Sequence, residues 1–269
     1  MSSRILPSSY LLGQQTLLVD AQGNGDYTTI QAALNAAAVY ATVTSRWSVR
    51  VAPGLYTEQI TLKDYVDLTG LGPGRATRLK RSSGNLFAAP ASCVVANLWL
   101  ETVDAPVVST GGAFAGTLEL DDVIVDQTVL DVASIQVASG TIIVNRSNLS
   151  CGGYLDLSAG TLKVHHSIIR NQALSDGGAN MVLYIQGGTL LLTHSLLENV
   201  SPAGYCVYID GAVSSLKAFH STFRKSTSTN AIEVNGATNR SMVLARCCGN
   251  GDHGTYLIGY HDYVYDASI

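Results

Sequence analysis

Three sets of side chains in this sequence have the types and spacing to do chemistry. The first recurs at intervals of 20 to 28 positions and holds Val108, Gln136, Asp156, Tyr184, Tyr208 and Glu233. Tyr184 and Tyr208, in neighbouring copies, offer flat apolar faces with polar handles, a combination that suits sugar rings. Asp156 and Glu233 add carboxylates, and Asp176, in the loop 171–180, can fold over Asp156 to form the closest acid pair available. The second set is Asp122, Arg146, His166, His194, His220 and Arg246. Imidazole suits zinc, copper and nickel. Two arginines bracket this column, however, and no carboxylate stands in register beside the histidines. It reads as a corner residue hydrogen-bonding to neighbouring turns, and no metal site is assigned. The third set is Asp121, Asp122 and Asp126. Calcium needs several convergent oxygens, whereas alternate residues of a strand diverge. Neither a Gly-x-Ser-x-Gly elbow nor a phosphate-binding loop occurs, so no cofactor is expected.

A repeat positions all of these residues. TLELDDVIV from Thr117, TIIVNRSNL from Thr141, TLKVHHSII from Thr161, TLLLTHSLL from Thr189, SLKAFHSTF from Ser215 and SMVLARCCG from Ser241 align without gaps. Weaker copies begin at Tyr65 and Ser92, and the mean step is about 25 residues, the signature of a solenoid of strands. The second, fourth and ninth positions are apolar and should face inward. The seventh holds Ser147, Ser167, Ser195, Ser221 and then Cys247, an inward ladder of small residues just past a corner. A third short strand precedes each copy, as at Ile135–Val137 and Leu155–Leu157. Three strands per turn describe an all-β, single-stranded right-handed parallel β-helix of about eight rungs, roughly 40 Å tall at about 4.8 Å per rung. In that frame Asp156 and Glu233 stand three rungs, about 14 Å, apart. A glycosidase dyad needs about 5 to 9.5 Å, so these two do not form one.

Composition narrows the function. Charged residues are 13% of the chain and the net charge is −4, which argues against a nucleic-acid partner. No apolar run is long enough to insert into a membrane. Met1–Gln15 has one arginine and no apolar signal-peptide core, so a cytoplasmic or virion-associated location is expected. The five cysteines form no CxxC pair and read as free, buried thiols. The eighth repeat position points outward yet carries Trp99, Ile124, Ile168 and Leu196. Beside it run Glu101, Asp126, Arg170, Glu198 and Arg224. An apolar stripe with a charged rim suggests self-association, with a homotrimer favoured.

The single domain divides into a leader (1–15), an N-terminal cap with the first strands (16–64), the rungs (65–250) and a tyrosine-rich tail (251–269). Within the cap, Thr28 and Gln31 have the spacing of a capping box, and Ile30, Ala33, Leu34 and Ala37 form an apolar helix face that can plug the open end of the core. The stretches VDAQGNGDYTTIQAALNAA (Val19–Ala37), VRVAPGLYTEQITL (Val49–Leu62) and VDLTGLGPG (Val66–Gly74) resemble the opening of pectin methylesterases and, more broadly, the pectin-lyase-like β-helix superfamily. The resemblance covers about the first 75 residues. It implies the fold, a polysaccharide setting and a sugar groove over the short-strand face. It carries over no catalytic residue, because the Gln-Asp-Thr, Asp-Phe-Ile-Phe-Gly and Arg-Pro-Trp segments of those esterases do not occur. Asp126-Gln127-Thr128 has similar letters in the wrong order. The polygalacturonase-like Asp121-Asp122 and Asp252-His253-Gly254 lie five rungs apart, about 24 Å.

Three functions fit. One is a non-catalytic structural or glycan-contacting β-helix, such as a phage tail or virion surface component, with glycan contacts at Gln136, Asp156, Tyr184, Tyr208 and Glu233. A second is a polysaccharide esterase, lyase or hydrolase with a rearranged site around Asp156 and Asp176. The third is a monomeric scaffold without a ligand.

Overall fold

The computed structural model describes residues 15–128, 132–172, 181–201, 204–210, 214–225, 232–234, 240–250 and 263–266. Among these, strands stack into three sheets of eleven, nine and eight strands, each running along one side of a column. One rung reads Thr161–His165 in the first sheet, Ile168–Asn171 in the second and Met181–Ile185 in the third. The pairings between described rungs are parallel, with matched registers such as Thr161↔Thr189 and Ile168↔Leu196 and one shift at Ile60/Thr61. Every expected inward residue of the second, fourth and ninth repeat positions is buried, from Leu118 and Leu120 to Leu216 and Phe223.

Eight rungs carry a strand in every sheet. They begin at Trp47–Val51, Gly54–Tyr56 and Ile60–Thr61, one turn ahead of the first copy legible in the sequence. The last copy supplies Arg240–Ala245 and Cys248–Asn250 to two sheets. Of the tail, Tyr263–Asp266 pairs antiparallel with Arg240–Ala245 and closes the free edge of the first sheet. Tyr256 and Tyr260 lie outside the described residues.

The corner between the first and second sheets turns on one residue in the left-handed region. Asn97, Asp122, Arg146, His166, His194, His220 and Arg246 all have φ between 48° and 53°. A non-glycine residue there costs roughly 1–2 kcal/mol, so the surroundings must hold it. Two ladders do so. From Asn97 to His194 the backbone N–H of the corner residue donates to the next rung, as from Arg146 to the His165 carbonyl and from His166 to the Thr193 carbonyl, each at 3.0 Å. Immediately after the corner, the buried serines point inward. Ser195 Oγ donates to the Thr193 carbonyl at 2.9 Å and accepts the Ser167 N–H at 3.3 Å. Ser167 and Ser147 repeat the pattern one and two rungs earlier. Cys247 Sγ continues it against the Ala218 carbonyl. The opposite corner, from the third sheet to the first, uses glycine for a different reason. Gly160 has φ 73°, and a Cβ there would lie 2.7 Å from the Gly140 carbonyl of the rung before.

Helix α1, Ile30–Ala38, closes the N-terminal end of the core with Ile30, Ala33, Leu34 and Ala37, the face expected from sequence. The capping box is not formed. Thr29 is the N-cap, and no side-chain cap bond comes from it. Glu58 from the first rung takes that role, its two carboxylate oxygens accepting the N–H groups of Ile30 (2.7 Å) and Gln31 (2.9 Å). The Gln31 amide reaches the backbone of Thr61 instead. Docking to the rung outcompetes the local cap because it satisfies both helix and strand end.

The serine ladder yields a test. Ser195→Ala leaves the Ser167 N–H buried without its acceptor, and should cost about 1–3 kcal/mol. A urea unfolding curve followed by circular dichroism checks this, and an unchanged midpoint would remove the ladder from the stabilising interactions.

Candidate functional site

The third sheet carries the residues expected to contact glycan. Its register sets Ser109, Gln136, Asp156, Tyr184, Tyr208 and Glu233 opposite one another on successive rungs. Val108 is a correction: it is fully buried, and Ser109 takes its place in the outward column. The two-residue strand Val108–Ser109 leaves too little pattern to fix the face by sequence, and a slip of one residue reverses it. The backbone of Glu233 pairs opposite Tyr208, while its side chain lies outside the described residues, as does all of Asp176. Asp156 and Glu233 are three rungs apart, as the sequence requires.

The tyrosines join into one row. Tyr184 meets Tyr208 with ring centroids 5.8 Å apart and planes tilted by 33°. Tyr154 packs edge-on against Tyr184 at 6.0 Å, and Tyr205 stacks on Tyr208 at 5.6 Å. The Lys225 ammonium lies 5.6 Å from the Tyr205 ring centre. The Tyr184 hydroxyl donates to Asp210 Oδ2 at 3.2 Å. All four tyrosines are half-buried. Sequence reasoning missed Tyr154, Tyr205 and Asp210, because they lie outside the strand column that register makes visible.

Two buried asparagines position this row. Asn171, at the end of its second-sheet strand, donates from Nδ2 to the Met181 carbonyl at 2.8 Å. Asn199 does the same to the Tyr205 carbonyl at 2.7 Å and accepts the Ser201 N–H at 2.9 Å. Each thus ties the start of a third-sheet strand, the one bearing Tyr184 or Tyr208, to the preceding strand. The signal was present in the sequence, since Asn171 and Asn199 share a repeat position.

Among the described side chains of the column, Asp156 is a perturbed carboxylate. Burial pushes its acid group up from the ordinary carboxylate value, and its Oδ1 is buried with no hydrogen-bond partner among the described residues. Next to it are Gln136 and Tyr184. The arrangement offers aromatic rings, amide and carboxylate hydrogen-bonding groups, and one acid whose value burial raises.

The other sequence candidates are placed as follows. Asp121 is paired with Arg146, and Asp122 with Arg75 at 2.5 Å, which commits both to the rung corners. His166, His194 and His220 stack in a column with ring centroids 5.0 and 4.8 Å apart, exposed to solvent. At this corner the backbone bonds to the next turn while the imidazoles stack on each other. Trp99, Ile124, Ile168 and Leu196 lie in one outward column on the second sheet, with Asn148 between Ile124 and Ile168. Ile168 is 36% exposed, and the Arg78 guanidinium covers Trp99 at 4.6 Å from its ring. Beside them, Arg170 and Arg224 (3.2 Å) both pair with Glu198, and Arg78 and Lys80 (2.5 Å) with the buried Glu101. Cys93, Cys151 and Cys206 are free and buried, and burial pushes their thiols up to about 12, which leaves them unreactive. Over the first sheet, a depression of about 340 Å³ is bounded by Arg46, Gly116 and Glu119, but Arg46 is held by Asp67. No helix among the described residues is long and apolar enough to cross a membrane.

No protein-family model matches the chain, and no curated protein does. Among solved structures it is similar to the pectin methylesterase from carrot. The TM-score is 0.56 and the identity 15%, over 93% of this chain and 85% of that one. The two share the parallel β-helix fold.

Asp156 predicts a pH effect whose sign can be worked out. A carboxyl whose value is raised by folding binds protons more readily in the folded state, so stability rises as pH falls through that raised value and is lowered above it. Asp156→Asn should therefore raise the melting temperature at neutral pH and flatten its rise on mild acidification. Thermal scans at several pH values check this, and a lower melting point for the variant at neutral pH would contradict a buried, unpaired acid.

Proposed function

We propose that this protein is a non-catalytic, glycan-contacting β-helix whose third-sheet face binds a polysaccharide. The observation that carries the reading is the row of tyrosine rings Tyr154, Tyr184, Tyr208 and Tyr205, which runs along the outside of neighbouring rungs. Sugar rings lie against such faces, and Asp156, Gln136 and Asp210 supply polar contacts at its margin. A column of in-register rungs is rigid, so the platform needs no reordering on binding, which lowers the entropic cost of holding a chain.

The same reading includes self-association. The outward stripe of Trp99, Ile124, Ile168 and Leu196, flanked by the ion pairs around Glu198, has the makeup of an interface core with a charged rim. A trimer packed through this face would leave the third sheets outward. A virion-surface or tail component that grips a host polysaccharide is the kind of protein this describes, and the lack of the esterase segments supports binding without turnover.

Two measurements follow. On a glycan array and in titration with the best oligosaccharide it retains, Tyr184→Ala and Tyr208→Ala should each weaken binding roughly tenfold, about 1.4 kcal/mol. An array that retains nothing would overturn the glycan reading. Methanol or reducing ends released from polyuronides, and lost in Asp156→Asn, would replace it with an enzymatic one. Light scattering should give a mass near three times 28.3 kDa, falling to that of one chain in a Trp99→Asp, Ile168→Asp variant. A native mass of one chain would end the trimer.

A further inference from the structure

Charge is segregated around the column in a way the overall net charge hides. In the first- and second-sheet strands of the rungs from Thr141 to Asn250, together with the corner between them, Glu198 is the sole carboxylate. It is already paired with Arg170 and Arg224. The acids of this stretch sit instead on the third sheet or in the segments around it, as Asp156, Asp210 and Glu233 do. Along the corner itself the order is Arg146, His166, His194, His220 and Arg246, one per rung, every one of them exposed.

The identity of these residues is not explained by the turn. The left-handed corner is best filled by glycine, asparagine or aspartate, and an earlier rung does use Asn97, whose side chain donates to the Gly70 carbonyl at 2.7 Å. Five successive rungs depart from that choice and take a nitrogen base or a guanidinium. The three imidazoles lie nearly parallel, with planes 1° and 17° apart, so their edges face outward in a line along the column axis. Arg246 donates to His220 Nε2 at 3.4 Å.

Most of the charged groups facing this line are cationic. On the first sheet they are Lys163, Lys217 and His165, with Asp121 at the Arg146 end, where it pairs with that arginine. On the second sheet the adjacent column holds Asn148, Ile168, Leu196 and Thr222, none of them charged, and beyond it stand Arg170, Glu198 and Arg224. His165 is held below the ordinary histidine value by burial first and then by His166 and Lys163.

We propose that the corner from His166 to Arg246 is a second binding strip, for an acidic polysaccharide lying along the column axis with its anionic groups in step with the rungs. Histidine side chains in general become cationic as pH falls through the neutral range. A single line of cations with no aromatic platform beside it does not favour nucleic acid, which in single strands is held by base stacking. The strip lies across the core from the third sheet. It is therefore independent of the tyrosine row, and either site can fail without the other.

The test is a binding titration of dextran sulfate, with uncharged dextran and single-stranded DNA as comparators. The native protein should bind dextran sulfate at least about tenfold more tightly at about pH 5.5 than at about pH 8, with binding weakened by salt. Uncharged dextran should not bind. The variant His166→Asn, His194→Asn, His220→Asn should lose the pH dependence while unfolding at the same temperature or above it, since asparagine suits the left-handed corner. If the triple variant does not fold, His194→Asn alone, in the middle of the stack, should weaken binding at about pH 5.5 by roughly threefold. No binding by the native protein at about pH 5.5, a pH dependence unchanged in the variants, or DNA bound as tightly as dextran sulfate would each overturn the proposal.

Discussion

Everything in this molecule depends on each rung satisfying its backbone against the next. A parallel strand cannot close its hydrogen bonds locally, and the corners are where such a column would first leave polar groups unpaired in its interior. The left-handed residue at the first corner and the serine that follows it solve this together. The corner N–H reaches the next rung, and the serine hydroxyl bridges its own rung to the neighbour. With that connection made, the inward positions fall into columns of like residues, and the core fills itself by stacking Leu on Leu and Val on Val.

Register is also what gives the surface its character. A residue type repeated at one position in the rung becomes a line of that type along the column. Tyr184 and Tyr208 become adjoining rings, and His166, His194 and His220 become a stack. The same rule places Trp99, Ile124, Ile168 and Leu196 in one stripe. Three sides of the column thus carry three chemistries, aromatic and acidic, basic, and apolar with paired charges. A solenoid can vary each line without disturbing the core, since outward positions share no packing with inward ones. The likeness to the carrot pectin methylesterase is one of scaffold.

The ends of the column follow another logic, because there the repeat stops supplying partners. At the N-terminal end, α1 covers the first core layer, and Glu58 anchors it by accepting two N–H groups of the helix start. At the far end, Tyr263–Asp266 turns antiparallel onto the last strand of the first sheet and occupies the edge that a further rung would have used. Open strand edges invite pairing with other chains, so both devices serve solubility as well as stability.

The sequence by itself determined the period, the inward columns, the serine ladder and the helix face that plugs the core. Each of these is a pattern repeated at fixed spacing, and burial of one face leaves no second solution. It also determined that Asp156 and Glu233 stand three rungs apart. Only the tertiary structure decided the features that rest on a single contact or on non-repeating segments. The cap of α1 passed from Thr28 to Glu58, 28 residues away from Ile30, because a carboxylate from the rung can satisfy two helix donors at once. The outward place next to Gln136 went to Ser109, because a strand of two residues carries too little alternation to fix its face. Tyr154, Tyr205 and Asp210 joined the tyrosine row from positions outside the strand column. A sequence repeat reports what stacks upon itself, and it is silent about which neighbours lean in from the turns.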